Sequence, residues 1–244
     1  MKTIAIIPAR YQSSRFPGKP LIKILNKPMI IWVIEIVEIV LGKDNVFVAT
    51  DDKRIFDTVK KYEYNALMTS DCKTGTDRVA EASKQVNADI VVNVQGDEPL
   101  LNPEDIEKVI ETKKIFFNEV INGMSKYKNG VNNKNVVKVV ADSQNCLLYM
   151  SRSIIPCYKD LKNKPKFYWK QSGLYAFNKS ELNSFENYNK KGFLENIEDV
   201  EILRFVELGI PVKMVEIVGS EHAVDIPEDV QIVEKHIREC FKKQ

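Results

Sequence analysis

The chain has 244 residues, 44% of them apolar and 29% charged, the balance of an ordinary globular protein long enough to bury one large core. Its 36 basic and 34 acidic side chains leave a formal charge of +2, which gives nucleic-acid binding no electrostatic footing. The four cysteines, Cys72, Cys146, Cys157 and Cys240, lie far apart without a C-x-x-C pair, which argues against structural zinc or a disulfide framework and for reduced thiols in the cytoplasm. No apolar run nears the roughly 20 residues of a membrane span. Residues 1–7 are expected to carry no export signal, being short and closed by Pro8.

Ile4-Ala5-Ile6-Ile7 is a short β-branched run that predicts a buried central strand stopping at Pro8. The polar loop after it carries Arg10, Arg15 and Lys19, with Gly18 and prolines at Pro17 and Pro20. Ligands of open α/β sheets bind beyond the carboxyl ends of the strands, where this loop should lie. Three cations on a loop whose prolines fix its shape suit a dense anion such as a triphosphate. A solvated basic loop is the plainer alternative. The Walker pattern G-x-x-x-x-G-K-S/T is absent, so this is not a P-loop.

Met29 to Val40 is long and apolar enough for a buried helix, and Asn45 to Thr50 reads as a second strand. Asp51-Asp52 can cap a helix running to about Tyr62. Ala66-Leu67-Met68 precedes a loop from Lys73 to Arg78 and a helix with Val79, Ala82 and Val86 on one face. Ile90 to Val94 is the third central strand, ending at Gln95-Gly96-Asp97-Glu98-Pro99. Pro103, Glu104 and Asp105 open another helix. Strand and helix alternate to this point, which predicts a parallel sheet with right-handed crossovers.

The pattern then changes. Lys126 to Asn135 reads as a surface loop, and Val136 to Asp142 with Cys146 to Met150 as a hairpin. Ser151 to Lys166 is irregular, Gly173 to Phe177 a strand, and Ser180 to Phe185 a short helix. Glu195 to Leu208 reads as one amphipathic helix, Val212 to Val218 as a strand, and Pro227 to Phe241 as a closing helix. The expected fold class is α/β: a mostly parallel, Rossmann-like nucleotide-binding sheet with helices on both faces. One domain is expected over residues 1–244, with a β-rich insertion at about 130–175.

Two acids stand where a ligand would be met. Asp97 follows a hydrophobic strand, and a carboxylate there faces the crevice and suits Mg²⁺; a simple turn residue is the alternative. Asp225 precedes Pro227 and is equally placed to be a helix N-cap.

Taken in order, these segments resemble the 3-deoxy-manno-octulosonate cytidylyltransferases. The resemblance rests on Ile7 to Leu21 (IPARYQSSRFPGKPL), Val48 to Asp51, Gly75 to Arg78, Val92 to Pro99, Val137 to Val140, Tyr149 to Pro156 and Val224 to Asp229, and it spans essentially the whole chain. It implies transfer of the cytidylyl group of CTP to the anomeric hydroxyl of a 2-keto-3-deoxy sugar acid, with release of pyrophosphate, for lipopolysaccharide or capsule synthesis. It implies that Arg10, Arg15 and Lys19 grip the triphosphate and act in catalysis with Asp97, and that Asp97 and Asp225 ligate one or two Mg²⁺ ions. Gly75, Thr76 and Gln95 are implied on the nucleotide side, with Gln95 also facing the sugar acid. Arg78, Arg152, Gln171, Glu195 and Glu198 are implied as further substrate contacts. A homodimer is implied as well, with no nucleic acid and no membrane insertion.

Two positions depart from the family pattern. Gln171 stands where a histidine is usual and Ile202 where a glutamine is usual, both in segments that resemble the sugar pocket. Gln171 can still hydrogen-bond a hydroxyl but cannot change charge near neutral pH. Three other readings stay open: a cytidylyltransferase for a modified octulosonic or other ulosonic acid, a metal-dependent glycosyltransferase, and a sugar-nucleotide-binding module.

Overall fold

The first strand, β1 (Thr3–Ala9), is buried on both faces: Ala5 and Ile7 point into one helical layer, Ile4 and Ile6 into the other. The structure is a computed structural model and describes residues 1–12, 16–128, 130–220 and 222–241. A two-residue ribbon, β2 (Lys23–Ile24) with β3 (Lys27–Pro28), leads into helix α1 (Met29–Leu41). β1 pairs in parallel with β4 (Val46–Thr50) on one side and with β6 (Ile90–Val94) on the other. β5 (Asn65–Met68) extends the sheet beyond β4.

Beyond β6, the chain returns through β7 (Val120–Tyr127), the hairpin β8 (Lys138–Ala141) and β9 (Leu147–Ser151), β10 (Tyr168–Asn178) and β11 (Val212–Glu216). The main path runs β11-β7-β10-β6-β1-β4-β5, and the hairpin joins it through β8 against the outer end of β10. β10 is antiparallel to both its path neighbours, β6 and β7, while β11 is parallel to β7. Along that path only β10 runs against the others. The sheet is therefore mostly parallel, as the alternating strand and helix pattern predicts.

Helices α1, α2 (Lys53–Lys61) and α4 (Pro103–Ile115) cover the Ala5/Ile7 face. Helices α3 (Gly75–Ser83), α5 (Lys179–Asn187), α6 (Phe193–Glu198) and α7 (Ile202–Glu207) cover the Ile4/Ile6 face. The last helix, α8 (Asp229–Phe241), sets Val233 and Ile237 against Ile24, Met29 and Val224.

Four expectations are corrected. β1 does not stop at Pro8, because Pro8 turns its carbonyl toward Gly96, on the β6 side, where pairing has already ended at Ile6 and Asn93. A proline is tolerated where no ladder bond is asked of its missing N–H. β7 has no counterpart in the sequence pattern, since its six buried residues, Val120 to Ser125, include Asn122 and Gly123. Asn122 earns its place by donating 2.9 Å bonds to the carbonyls of Ser172 and Leu174, where the β10 register slips. β10 itself starts at Tyr168 rather than Gly173, paired along its outer half by β7 and β8. Finally, the segment from Glu195 to Leu208 is two helices, broken at Asp199, which takes a left-handed conformation (φ 50°, ψ 52°).

The two layers also carry a buried ion pair. Lys113 of α4 is fully buried, and its Nζ donates 2.7 Å bonds to both carboxylate oxygens of Glu181 on α5 and to the Glu119 carbonyl. Burial pulls the Lys113 ammonium pKa down and the Glu181 carboxyl pKa up, and their mutual attraction opposes both shifts. Lys113→Met should destabilise the fold by about 3–5 kcal/mol, because it leaves Glu181 buried without its counter-charge. Thermal melting should then show a midpoint lower by about 10 °C. A loss below about 1 kcal/mol would mean that Glu181 is neutral in the folded protein.

Candidate active site

β1, β4 and β6 end on one edge of the sheet, and Arg10, Asp51 and Gln95 to Asp97 follow them directly. A pocket of about 300 Å³ lies at that edge, bordered by Arg10, Lys19, Gly75, Gln95, Asp97, Glu201 and Asp225 among others. It is placed where parallel α/β sheets bind nucleotides.

Lys19 is the centre of the polar wall. It begins a 3₁₀ turn with Pro20, entered through Gly18 in a left-handed conformation (φ 73°) that an L side chain rarely adopts. Its Nζ donates to Asp97 Oδ2 at 2.7 Å and to the Val224 carbonyl at 2.9 Å. The Val224 N–H donates in turn to the Asp97 carbonyl at 2.9 Å. One ammonium thus ties together the basic loop, the end of β6 and the segment carrying Asp225. Arg10 stands exposed at the rim. Arg15 lies outside the described residues.

Asp225 is not the N-cap of α8, which starts four residues later. The Asp225 and Ile226 N–H groups donate instead to Asp229 Oδ2, at 2.8 and 3.0 Å, which shapes this segment and leaves Asp225 bordering the pocket. Among the described residues no group of three or more His, Cys, Asp or Glu side chains could hold a metal ion by itself. Two carboxylates on the same wall as a lysine suited to phosphate fit Mg²⁺, which takes one or two protein carboxylates and fills its octahedron with water and substrate oxygens.

The opposite wall is the start of α3. The Gly75 and Thr76 N–H groups donate to Glu201 Oε1 and Oε2, at 3.0 and 2.8 Å, and the Thr76 hydroxyl donates to Glu201 Oε2 as well. Thr74 caps the helix by accepting from the Asp77 N–H at 3.1 Å. Burial pushes the Glu201 carboxyl pKa up, and these bonds hold it down. Where β10 crosses β6, the Gln95 N–H donates to the Gly173 carbonyl and the Gly173 N–H to Glu98 Oε1, both at 3.1 Å. A Cβ on Gly173 would fall 2.6 Å from Gln95 Cγ, so this crossing requires glycine. Burial and the neighbouring Asp97 charge push the Glu98 carboxyl up to about 7.

The family pattern described as cytidylyltransferase matches residues 4–217. The chain belongs to the cytidylyltransferase family. It is 42% identical to the 3-deoxy-manno-octulosonate cytidylyltransferase of Syntrophobacter fumaroxidans, over 96% of each chain. It is 39% identical to the 8-amino-3,8-dideoxy-manno-octulosonate cytidylyltransferase of a Shewanella strain (W3-18-1), over 97% of this chain and 99% of that one. Its fold matches a solved structure of CMP:2-keto-3-deoxy-manno-octonic acid synthetase complexed with CTP, with a TM-score of 0.91, 34% identity and coverage of 98% and 99% of the two chains.

Within this cytidylyltransferase the expected site residues divide into two sets. Arg10, Lys19, Gly75, Arg78, Gln95, Asp97 and Asp225 come together around the pocket. Thr76 is buried just behind it. Arg78 is held by Asp51 Oδ1 at 3.2 Å and by the Thr69 hydroxyl at 2.5 Å. The other set is occupied elsewhere. The Arg152 guanidinium donates to the carbonyls of Glu198, Asp199 and Lys134, at 2.5, 2.9 and 3.1 Å. The Glu198 carboxylate accepts from the Ser151 hydroxyl at 2.6 Å and the Arg152 N–H at 2.8 Å. Glu195 borders the pocket but is 1% exposed, with both oxygens 2.7 Å from the Arg204 fork. Gln171, half-buried on β10, donates to the Tyr175 hydroxyl at 3.4 Å. The expectation that Ile202 borders a sugar pocket is corrected: it is fully buried in the apolar layer with Val79 and Phe205.

Sequence reasoning passed over Glu201, whose only signal is its place in the Val200-Glu201-Ile202-Leu203-Arg204 run. It passed over Cys72 as well, which borders the pocket with its thiol 3.3 Å from Glu81 Oε2. Burial pushes the Cys72 thiol up to about 11, so at pH 8 it stays protonated and weakly nucleophilic. Brief iodoacetamide treatment at that pH should therefore label the exposed Cys157 well before Cys72, as read by peptide mass spectrometry. Faster labelling of Cys72 would mean that its thiolate is stabilised.

Proposed function

We propose that the protein transfers the cytidylyl group of CTP to the anomeric hydroxyl of 3-deoxy-manno-octulosonate or its 8-amino analogue, releasing pyrophosphate. The observation that carries the proposal is Lys19, set between Asp97 and the segment of Asp225, with Arg10 at the rim of the same pocket. That grouping joins cations for a triphosphate to carboxylates for a metal; a metal-dependent glycosyltransferase would also place an acid after the strand but needs no grip on a triphosphate, and a plain binding module needs neither. The family and the two named relatives support the same chemistry.

In the reaction the anomeric hydroxyl gives up its proton to solvent, its oxygen attacks the α-phosphorus to form a new P–O bond, and the bond to the bridging oxygen of the leaving pyrophosphate breaks. Lys19 and Arg10 offset the charge that builds on the departing pyrophosphate. Asp97 and Asp225 would hold Mg²⁺, with Lys19 exchanging its Asp97 contact for phosphate oxygen. When bound, the ion offsets phosphate charge and favours ionisation of the attacking hydroxyl. Glu201 steadies the first turn of α3 at the nucleotide wall, while Gln95, anchored at the β10 crossing, reaches the sugar side. Gln171 retains a donor and an acceptor for a sugar hydroxyl through the edge of β10.

Pyrophosphate release, followed with each NTP against 3-deoxy-manno-octulosonate, its 8-amino analogue and a nonulosonic acid, tests the assignment. CTP with an octulosonate should be the productive pair, and turnover with a nonulosonic acid alone would overturn it. Asp97→Asn and Asp225→Asn should each lower kcat about 10²-fold or more, with circular-dichroism melting close to wild type. If Asp225→Asn turned over normally under limiting Mg²⁺, that carboxylate would be outside the metal site.

The proposal extends to a cytoplasmic homodimer of single-domain subunits. Leu148 on β9 and Phe193 and Ile197 on α6 are large, apolar and exposed, on elements tied together through Glu198 and Ser151. An apolar surface of this kind suits an isologous contact through the 130–175 insertion. Light scattering at micromolar concentration should return twice the 28.0 kDa chain mass, and a monomer mass would refute the dimer.

A further inference from the structure

We infer that Arg54, on α2 and outside the pocket, is a positioning residue that sets the triphosphate-binding loop by stacking on Tyr11. The inference rests on the reading of that loop given under Proposed function. The Arg54 guanidinium carbon lies 3.3 Å from the centroid of the Tyr11 ring. Its plane is fixed from the other side by Asp52, which accepts from Nε at 3.0 Å and from Nη2 at 2.6 Å. Asp52 is itself anchored as the N-cap of α2, accepting from the Arg54 N–H at 2.9 Å. A planar fork held by a capped helix is a preorganised platform, which a lysine could not supply.

Tyr11 is the clasp of the loop. Its carbonyl accepts from the Gly18 N–H at 2.8 Å, closing the loop at its neck. Its ring covers Gly18 so closely that a Cβ there would sit 3.2 Å from ring atoms, at a residue already in the left-handed region. Arg10 immediately precedes Tyr11 and Lys19 immediately follows Gly18. The two loop cations that border the pocket thus flank one clasp, and that clasp is pressed onto α2 by Arg54. The Arg54 side chain is 58% exposed and does not border the pocket, and its charge is matched by Asp52. Its influence on a nucleotide therefore runs through the Tyr11 ring.

The test is CTP affinity by calorimetry with Mg²⁺ present, together with steady-state kinetics, for wild type, Tyr11→Phe, Tyr11→Leu, Arg54→Met and the double variant Tyr11→Leu/Arg54→Met. Tyr11→Phe keeps the ring and should retain more CTP affinity than Tyr11→Leu. Arg54→Met should weaken CTP binding about two- to fivefold, the ratio carried by a cation–π contact at an exposed site, and leave KM for the sugar acid unchanged. In the Tyr11→Leu background the Arg54 substitution should have no further effect. Losses that multiply would show Arg54 acting on CTP through charge alone and overturn the inference, as would unaltered CTP affinity in Arg54→Met. Arg54 is a surface residue, so the Arg54→Met arm stands even where Tyr11→Leu folds poorly. A wild type that binds no CTP refutes the cytidylyl reading and this inference with it, whereas a CTP-binding wild type matched by Arg54→Met overturns this inference alone.

Discussion

Arg204 is buried with 1% exposure, and three pieces of the structure converge on its guanidinium. Nε and Nη2 form a fork on Glu195, Nη1 donates to Asp77 Oδ1 at 2.7 Å, and the plane lies 3.6 Å from the centre of the Phe185 ring. Two carboxylates and one cation would be costly to desolvate separately, and their geometry is what makes the burial tolerable. α3, α6 and α7 cannot shift independently without leaving a charge unpaired in the core, and α5 is held to them through the ring and carbonyl of Phe185. The pocket wall made by Gly75 and Glu201 inherits that rigidity, since Asp77 lies in the first turn of α3 and Glu201 directly precedes α7.

This arrangement also explains why Glu201 can stand at the start of α3. A helix N-terminus presents unpaired N–H groups and positive potential, which an anion can occupy. Here a carboxylate from the same chain occupies it, 126 positions away from Gly75. Arg10 and Lys19 stand on the other wall, so the pocket's cations and this helix end are kept apart.

Much of this was legible in the sequence. The β-branched runs at Ile4, Val46 and Ile90 became parallel neighbours, Asp52 caps its helix as its position suggests, and Pro103 opens another. Among the pocket residues that came together, Arg10, Gln95 and Asp97 follow strands closely, where connectivity alone fixes their place. What escaped depended on distant contacts or on backbone that composition does not announce. Asp199 breaks a helix whose apolar spacing continues through it, by taking a conformation that non-glycine residues seldom adopt. β7 hid behind Asn122, whose amide N–H groups are taken up by carbonyls on another strand. Arg152 and Glu195 read as ligand-facing charges, yet carbonyls and a buried guanidinium engage them. Nothing in a linear pattern separates an arginine for a substrate carboxylate from one that closes a broken helix.

The reversed strand β10 has a consequence for how such a site can change over evolutionary time. Its first half arrives at the nucleotide edge from the β8–β9 hairpin, whereas Arg10, Lys19 and Asp97 arrive from β1 and β6. The wall that carries Lys19 and Asp97 and the strand that braces Gln95 from behind are thus encoded by separate stretches of the chain and meet at Gly173. Substitutions in one stretch can accumulate while the other stays fixed, provided that the glycine crossing is preserved. Gln171, two residues before that crossing, departs from the family pattern while Ile7 to Leu21 keeps to it.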